Sequence, residues 1–166
     1  MSNYPATILD ALDRAQDAFQ DRSATPPTPE EGIAAGGDWE TQLTKACKLL
    51  DVVETIQAQN GHYTAIIELS FGVIERSIEA YAVAMAGDAV DDFRDHKYSY
   101  ERAHQIGLFD AETAMAMRDL YSENRTDSYY GGGRPTDQQA ASMAALVRAV
   151  HGYAVDQIRQ GGVCLC

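Results

Sequence analysis

Residues 62–86 read HYTAIIELSFGVIERSIEAYAVAMA, and this stretch decides the fold. Ile67, Phe71, Ile74, Ile78, Tyr81 and Met85 recur at alternating steps of four and three, the spacing of one face of an α-helix, so the whole stripe is expected to be core. Beside it Glu68, Gly72, Glu75 and Glu79 make a second stripe. This one reads as a solvated acidic face, with Gly72 leaving room for the close approach of another helix or a ligand. Asn60-Gly61 stops the chain before this helix and Gly87-Asp88 after it.

Outward from that helix the same period recurs. Residues 39–59 form a helix with Asp38 as N-cap and Leu43, Ala46, Leu50, Val53 and Gln57 along one side. A shorter helix spans about 97–106 and ends at Gly107. The next starts from Asp110 as N-cap and carries Ala114, Met117, Tyr121 and Arg125 on one side. Gly131-Gly132-Gly133 breaks it, Thr136 and Gln139 stand at capping-box spacing, and the last helix runs to about residue 160 on a stripe of Ala140, Ala144, Val147, His151, Ala154 and Ile158. No strand alternation interrupts the pattern. The fold class is all-α, an up-and-down bundle of four or five helices. In front of it, residues 1–21 form an amphipathic helical arm with Ile8, Leu12, Ala15 and Phe19 aligned, and the Pro- and Gly-rich residues 22–38 read as a flexible linker. The bundle occupies residues 39–160, and residues 161–166 are a tail.

The chain has 166 residues and a formal charge of −12. A domain of this length buries about two-thirds of its unfolded surface and needs no staples. Only three Lys accompany 10 Arg, against 15 Asp and 10 Glu, so a broadly electrostatic nucleic-acid surface is disfavoured while a local basic patch stays open. This kind of acidity resembles the proteomes of salt-accumulating archaea, in which carboxylates keep proteins soluble where molar salt shortens the Debye length to about 3 Å. Cys47, Cys164 and Cys166 lack framework spacing. A reducing, cytoplasmic setting is therefore expected, with no disulfide and with Cys47 in the core. No leader or membrane span is legible.

For chemistry, His62, His96, His104 and His151 fall in separate elements without ligand spacing, so neither a metal nor a cofactor is expected. The glycine loop lacks the Lys and Ser/Thr of a phosphate cradle, though its amides and the helix start behind it remain a candidate anion site against a plain connecting loop. The cluster that stands out is Arg125, Asp127, Tyr129 and Tyr130. Arg125 lies one turn after Tyr121 and one before Tyr129, where a guanidinium can grip a phosphate and a tyrosine can stack on a base. The competing reading pairs Arg125 with Asp127, Glu68 or Glu75 to hold helices in register.

The succession Tyr63-Thr64-Ala65-Ile66-Ile67-Glu68, Ile74-Glu75-Arg76-Ser77-Ile78-Glu79-Ala80, His96, Gln105-Ile106-Gly107-Leu108, Leu120-Tyr121, Arg125 and Ser128-Tyr129-Tyr130 resembles HEPN-superfamily bundles over about residues 43–158. The resemblance implies a four- or five-helix domain that dimerises and sits beside minimal nucleotidyltransferases in toxin-antitoxin or defence systems. Members that cut RNA without metal carry an Arg, a polar residue and a His four to six positions after the Arg. Arg125-Thr126 matches the start of that motif, but Tyr129 and Tyr130 stand where the His belongs. The expectation is a non-catalytic nucleotide- or RNA-associated partner module, with ligand contacts from Arg125, Asp127, Tyr129 and Tyr130. The alternatives are a metal-independent ribonuclease using Arg125 with Tyr130 or His151, and a purely structural interaction bundle. His151, in Arg148-Ala149-Val150-His151, reads as a packing residue.

Overall fold

The computed structural model describes residues 6–20, 22 and 26–159, without the side chains of Ser128, Tyr129 and Arg159. The tail at 161–166, with Cys164 and Cys166, lies outside the described residues. The chain divides between Glu31 and Gly32 into two compact units. In the first, helix α1 (Ala6–Phe19) exposes Ile8, Leu12 and Phe19 and has no buried residue.

The second unit is a bundle of five α-helices: α2 (Asp38–Gln57), α3 (Tyr63–Tyr81), α4 (His96–Gln105), α5 (Ala111–Asn124) and α6 (Asp137–Arg159). Short π-helical turns extend α3 over Ala82–Ala86 and α5 over Arg125–Tyr130, and a 3-10 turn at Val90–Phe93 leads into α4. The helix starts follow local chemistry. The Asp110 carboxylate accepts the Thr113 amide at 2.7 Å, and Asp95 accepts that of Lys97 at 3.0 Å. Thr136 and Gln139 cap each other reciprocally at 3.1 and 2.9 Å.

At α2 the cap is displaced by one residue from the expected Asp38. Gly37 occupies the cap position without a side-chain bond, and Asp38 is the first helical residue. The reason lies just upstream, where the Ala34 amide donates to Thr44 Oγ1 at 3.0 Å and its carbonyl accepts from Thr41 Oγ1 at 2.8 Å. These bonds also fix the end of the Pro- and Gly-rich stretch against α2, so that part of it is tethered rather than flexible.

Helix α3 is the axis of the bundle, packed against α2, α4 and α6, while α4 pairs with α5. Its expected stripe is buried at Ile67, Phe71, Ile74 and Ile78, but Met85 is 54% exposed. Met85 falls in the π-helical turn, where bonding to the fifth residue rather than the fourth breaks the 3.6-residue register. The acidic stripe departs further from expectation: Glu75 and Glu79 are 7% and 9% exposed because α4 covers them. A helix with neighbours on several sides keeps little of its surface for solvent. Gly72 does permit a close approach, since a Cβ there would lie 3.4 Å from Leu49 Cδ1 of α2. Cys47 is buried at 3%, as expected of a core residue, and is disulfide-bonded, against the expectation of no disulfide. No described helix is long and apolar enough to cross a membrane.

Candidate functional site

Two clefts open on the wall formed by α3, α5 and the π-helical turn after α5. The smaller, of about 110 Å³, is lined by Glu68, Gly72 and Glu75 of α3, His96 of α4, and Tyr121 and Arg125. His96 reaches it because it opens α4 directly after the Asp95 cap. Its Nδ1 lies 2.7 Å from Glu75 Oε2, with the His side chain 59% exposed and the Glu side chain 9%. The Tyr100 hydroxyl donates to the other carboxylate oxygen, Oε1, at 3.2 Å. A carboxylate held on both oxygens orients the imidazole it touches.

Tyr121 forms the aromatic back of this cleft. Its ring meets Phe71 edge-on at 5.4 Å and lies 5.7 Å from Tyr100 and 5.8 Å from His96. Arg125 covers it, with Cζ 5.3 Å from the ring centroid, a cation–π distance. The guanidinium also interacts electrostatically with Glu68 and Glu75. Both arrangements weighed for Arg125 from sequence thus share one place, because the α3 carboxylates that offset its charge line the same opening.

Burial sets the protonation of this region. Loss of solvent pushes the Glu75 carboxyl above its ordinary value, against the opposing pull of His96. One turn along, burial lifts Glu79 to about 7, Arg76 opposing and Glu75 adding to the rise. Tyr100 is held protonated, first by burial and then by the neighbouring Glu75. Perturbed carboxyls of this kind, raised by burial beside a cleft, occur both at functional sites and in structural networks.

The larger cleft, of about 590 Å³, lies between α3, the end of α5 and the start of α6. Its floor is apolar, with Ile67, Phe71, Met143 and Leu146, and its rim carries Glu123, Asn124, Asp127, Arg134, Gln138 and Ser142. Phe71 and Asn124 line both clefts.

The four residues singled out from sequence do not converge. Arg125 lines the smaller cleft and Asp127 the larger, Tyr130 is 78% exposed and lines neither, and the Tyr129 side chain lies outside the described residues. The physical reason is the π-helical turn, in which a spacing of four no longer stacks side chains on one face. His151 is 3% exposed, lies 3.0 Å through Nδ1 from Ser77 Oγ, and is held neutral by burial, outside both clefts. The glycine loop is a connector: Gly133 donates its amide to the Asp127 carbonyl at 2.8 Å, and the first amides of α6 are taken by Asp137 and the Thr136–Gln139 cap. Those amides are engaged within the loop and the cap.

Sequence reasoning missed the partnership of His96, Tyr100 and Glu75. A signal was present: His96, Ser99 and Tyr100 stand at i, i+3 and i+4 on α4, and Glu75 and Glu79 stand four apart on α3, two polar faces of matching pitch. Among the described residues no group of three His, Cys, Asp or Glu side chains is placed to hold a metal ion.

A family model described as Domain of unknown function (DUF8154) matches residues 3–166. The chain belongs to that family. No curated protein and no solved structure matches it.

Proposed function

We propose that this DUF8154 protein binds phosphate esters, as a nucleotide- or RNA-associated helical module. The observation that carries the reading is that Arg125 and His96, from different helices, line one small cleft over the Tyr121 ring. A guanidinium and, with Nδ1 on Glu75, the Nε2–H of an imidazolium are donors a phosphate takes, and an aromatic floor suits an adjoining base or sugar. The resemblance to HEPN bundles points the same way and adds dimerisation and a nucleotidyltransferase-type partner in a toxin-antitoxin or defence setting. The charge of −12 fits a salt-rich cytoplasm, where repulsion of a polyanion is screened.

A second reading is favoured by one contact. The Glu75–His96 hydrogen bond at 2.7 Å beside Arg125 is the arrangement of an oriented acid–base group next to a charge-stabilising one, the requirement for metal-independent phosphodiester cleavage. In that reading the histidine is His96, supplied by α4, and neither Tyr130 nor His151 takes part.

The test is RNA binding and cleavage in 2 M KCl with EDTA, on wild type, Arg125→Ala and His96→Ala, with circular dichroism to confirm folding. The binding module predicts retained RNA in wild type, at least tenfold weaker binding in Arg125→Ala, and no cleavage. Cleavage that disappears in both variants and survives in Tyr130→Phe establishes the ribonuclease. A wild type that neither binds nor cuts removes both readings.

A further inference from the structure

Resting on the reading of the Arg125 cleft as a phosphate site, we propose that the larger cleft is the base pocket of the same ligand and that it selects guanine. The two openings are neighbours, since Phe71 and Asn124 wall both. A phosphate at Arg125 therefore places the rest of a nucleotide at the threshold of a cavity of about 590 Å³, within the usual range for small-molecule sites. The floor of Ile67, Phe71, Met143 and Leu146 gives a flat ring an apolar bed.

Salt makes such a bed necessary. At about 1 M salt the Debye length is about 3 Å, so long-range attraction of a phosphate is screened away and only direct contact inside the cleft holds it. A ligand recognised in that medium must be held by ring burial and short hydrogen bonds.

The rim determines which ring. Asp127 and Arg134 face the cavity, and neither side chain is hydrogen-bonded or ion-paired within the described residues. A carboxylate accepts only, through two oxygens, and matches two adjacent donors. A guanidinium donates only, and its best base partner is the O6/N7 pair of guanine. Guanine alone among the common bases carries both complements, with N1–H and the N2 amino group on one edge and O6 and N7 on another. Adenine would set its N1 lone pair against Asp127 and its N6 amino group against Arg134. Asn124 and Gln138 supply amide groups for the sugar or the remaining ring atoms.

The ligand is a guanosine phosphate, drawn from free nucleotide or from single-stranded RNA. The full chain is titrated in 2 M KCl with guanosine 5′-monophosphate, adenosine 5′-monophosphate, guanosine and ribose 5-phosphate, by calorimetry and by NMR shift changes for the weak probes. The expected result is about tenfold preference for the guanine over the adenine nucleotide. Asp127→Asn, at an exposed position, brings that ratio close to one while ribose 5-phosphate still binds. Arg125→Ala weakens the nucleotide and ribose 5-phosphate but leaves guanosine and its preference in place. Ser142→Trp, which fills the cavity from an exposed position, removes guanosine binding only.

Equal affinity for the two nucleotides, or a preference that survives Asp127→Asn, overturns the guanine pocket. If ribose 5-phosphate binding is then still lost in Arg125→Ala, the phosphate site stands without it. Guanosine binding without any ribose 5-phosphate binding refutes the phosphate site and with it the joint pocket proposed here. A guanine-containing RNA hexamer that displaces the nucleotide, where one lacking guanine does not, assigns the ligand to RNA; failure of both hexamers assigns it to free nucleotide.

Discussion

Glu79 sits under α4 with Ser99 Oγ 3.5 Å from its Oε1, and its carboxyl titrates at about 7 where an unfolded glutamate titrates near 4.5. The folded state therefore holds its proton more tightly than the unfolded one. The resulting stability is complete below pH 4.5 and is lost as pH rises through about 7, a swing of about 3 kcal/mol from this residue. Glu79→Gln, which keeps the shape and removes the titration, is expected to match wild type near pH 4.5 and to exceed it increasingly up to pH 8. Thermal melts across that range check this, and a difference that does not vary with pH would refute it. The burial of Glu75 and Glu79 was not legible from α3 alone. A carboxylate every fourth residue describes a wet face equally well, and the residues that cover it, His96, Ser99 and Tyr100, stand some 20 positions away in the chain.

Among the elements, those with chemical end signals were the most legible. Asp110, Asn60-Gly61 and the Thr136–Gln139 box each act where their side chains or backbone freedom dictate. Replacing Asp110 by Ala leaves the Thr113 amide without its acceptor and is expected to lower Tm by about 2–4 °C in a calorimetric scan. A shift below half a degree would mean that water replaces the cap at no cost. The two π-helical turns were not legible: Ala82–Ala86 is helical in composition, and the weak helix formers after Arg125 mark a helix end without specifying its geometry. Each adds a residue to its turn, so side chains beyond that point are rotated off the stripe extrapolated from upstream. This displaced Met85 from the core and separated Asp127 and Tyr130 from Arg125. At the first of these turns the chain is held by Arg102, whose Nε and a terminal nitrogen both lie 2.7 Å from Asp88.

At the scale of the whole molecule, 25 carboxylates against 13 cationic side chains repel one another at low ionic strength. Raising KCl from 0.1 to 2 M is expected to raise Tm by several degrees, most of it below 0.5 M where screening changes fastest. A Tm independent of salt would show the charges to be spread too thinly to matter. Fold class and helix order were readable because an apolar stripe at 3.6-residue spacing has one economical solution, while the clefts arise from which helices meet. The position of α3 also bears on how the chain is made. Ala140, Met143, Ala144, Val147 and Val150 of α6 complete the core around it, and α6 is the last helix of the bundle in sequence. As the polypeptide leaves the ribosome, Ile67, Phe71 and Ile74 wait through the synthesis of α4, α5 and the glycine loop before their final neighbours emerge. The most apolar helix of the bundle thus stays incompletely covered until α6 emerges, and its serines and glutamates keep it wettable during that interval.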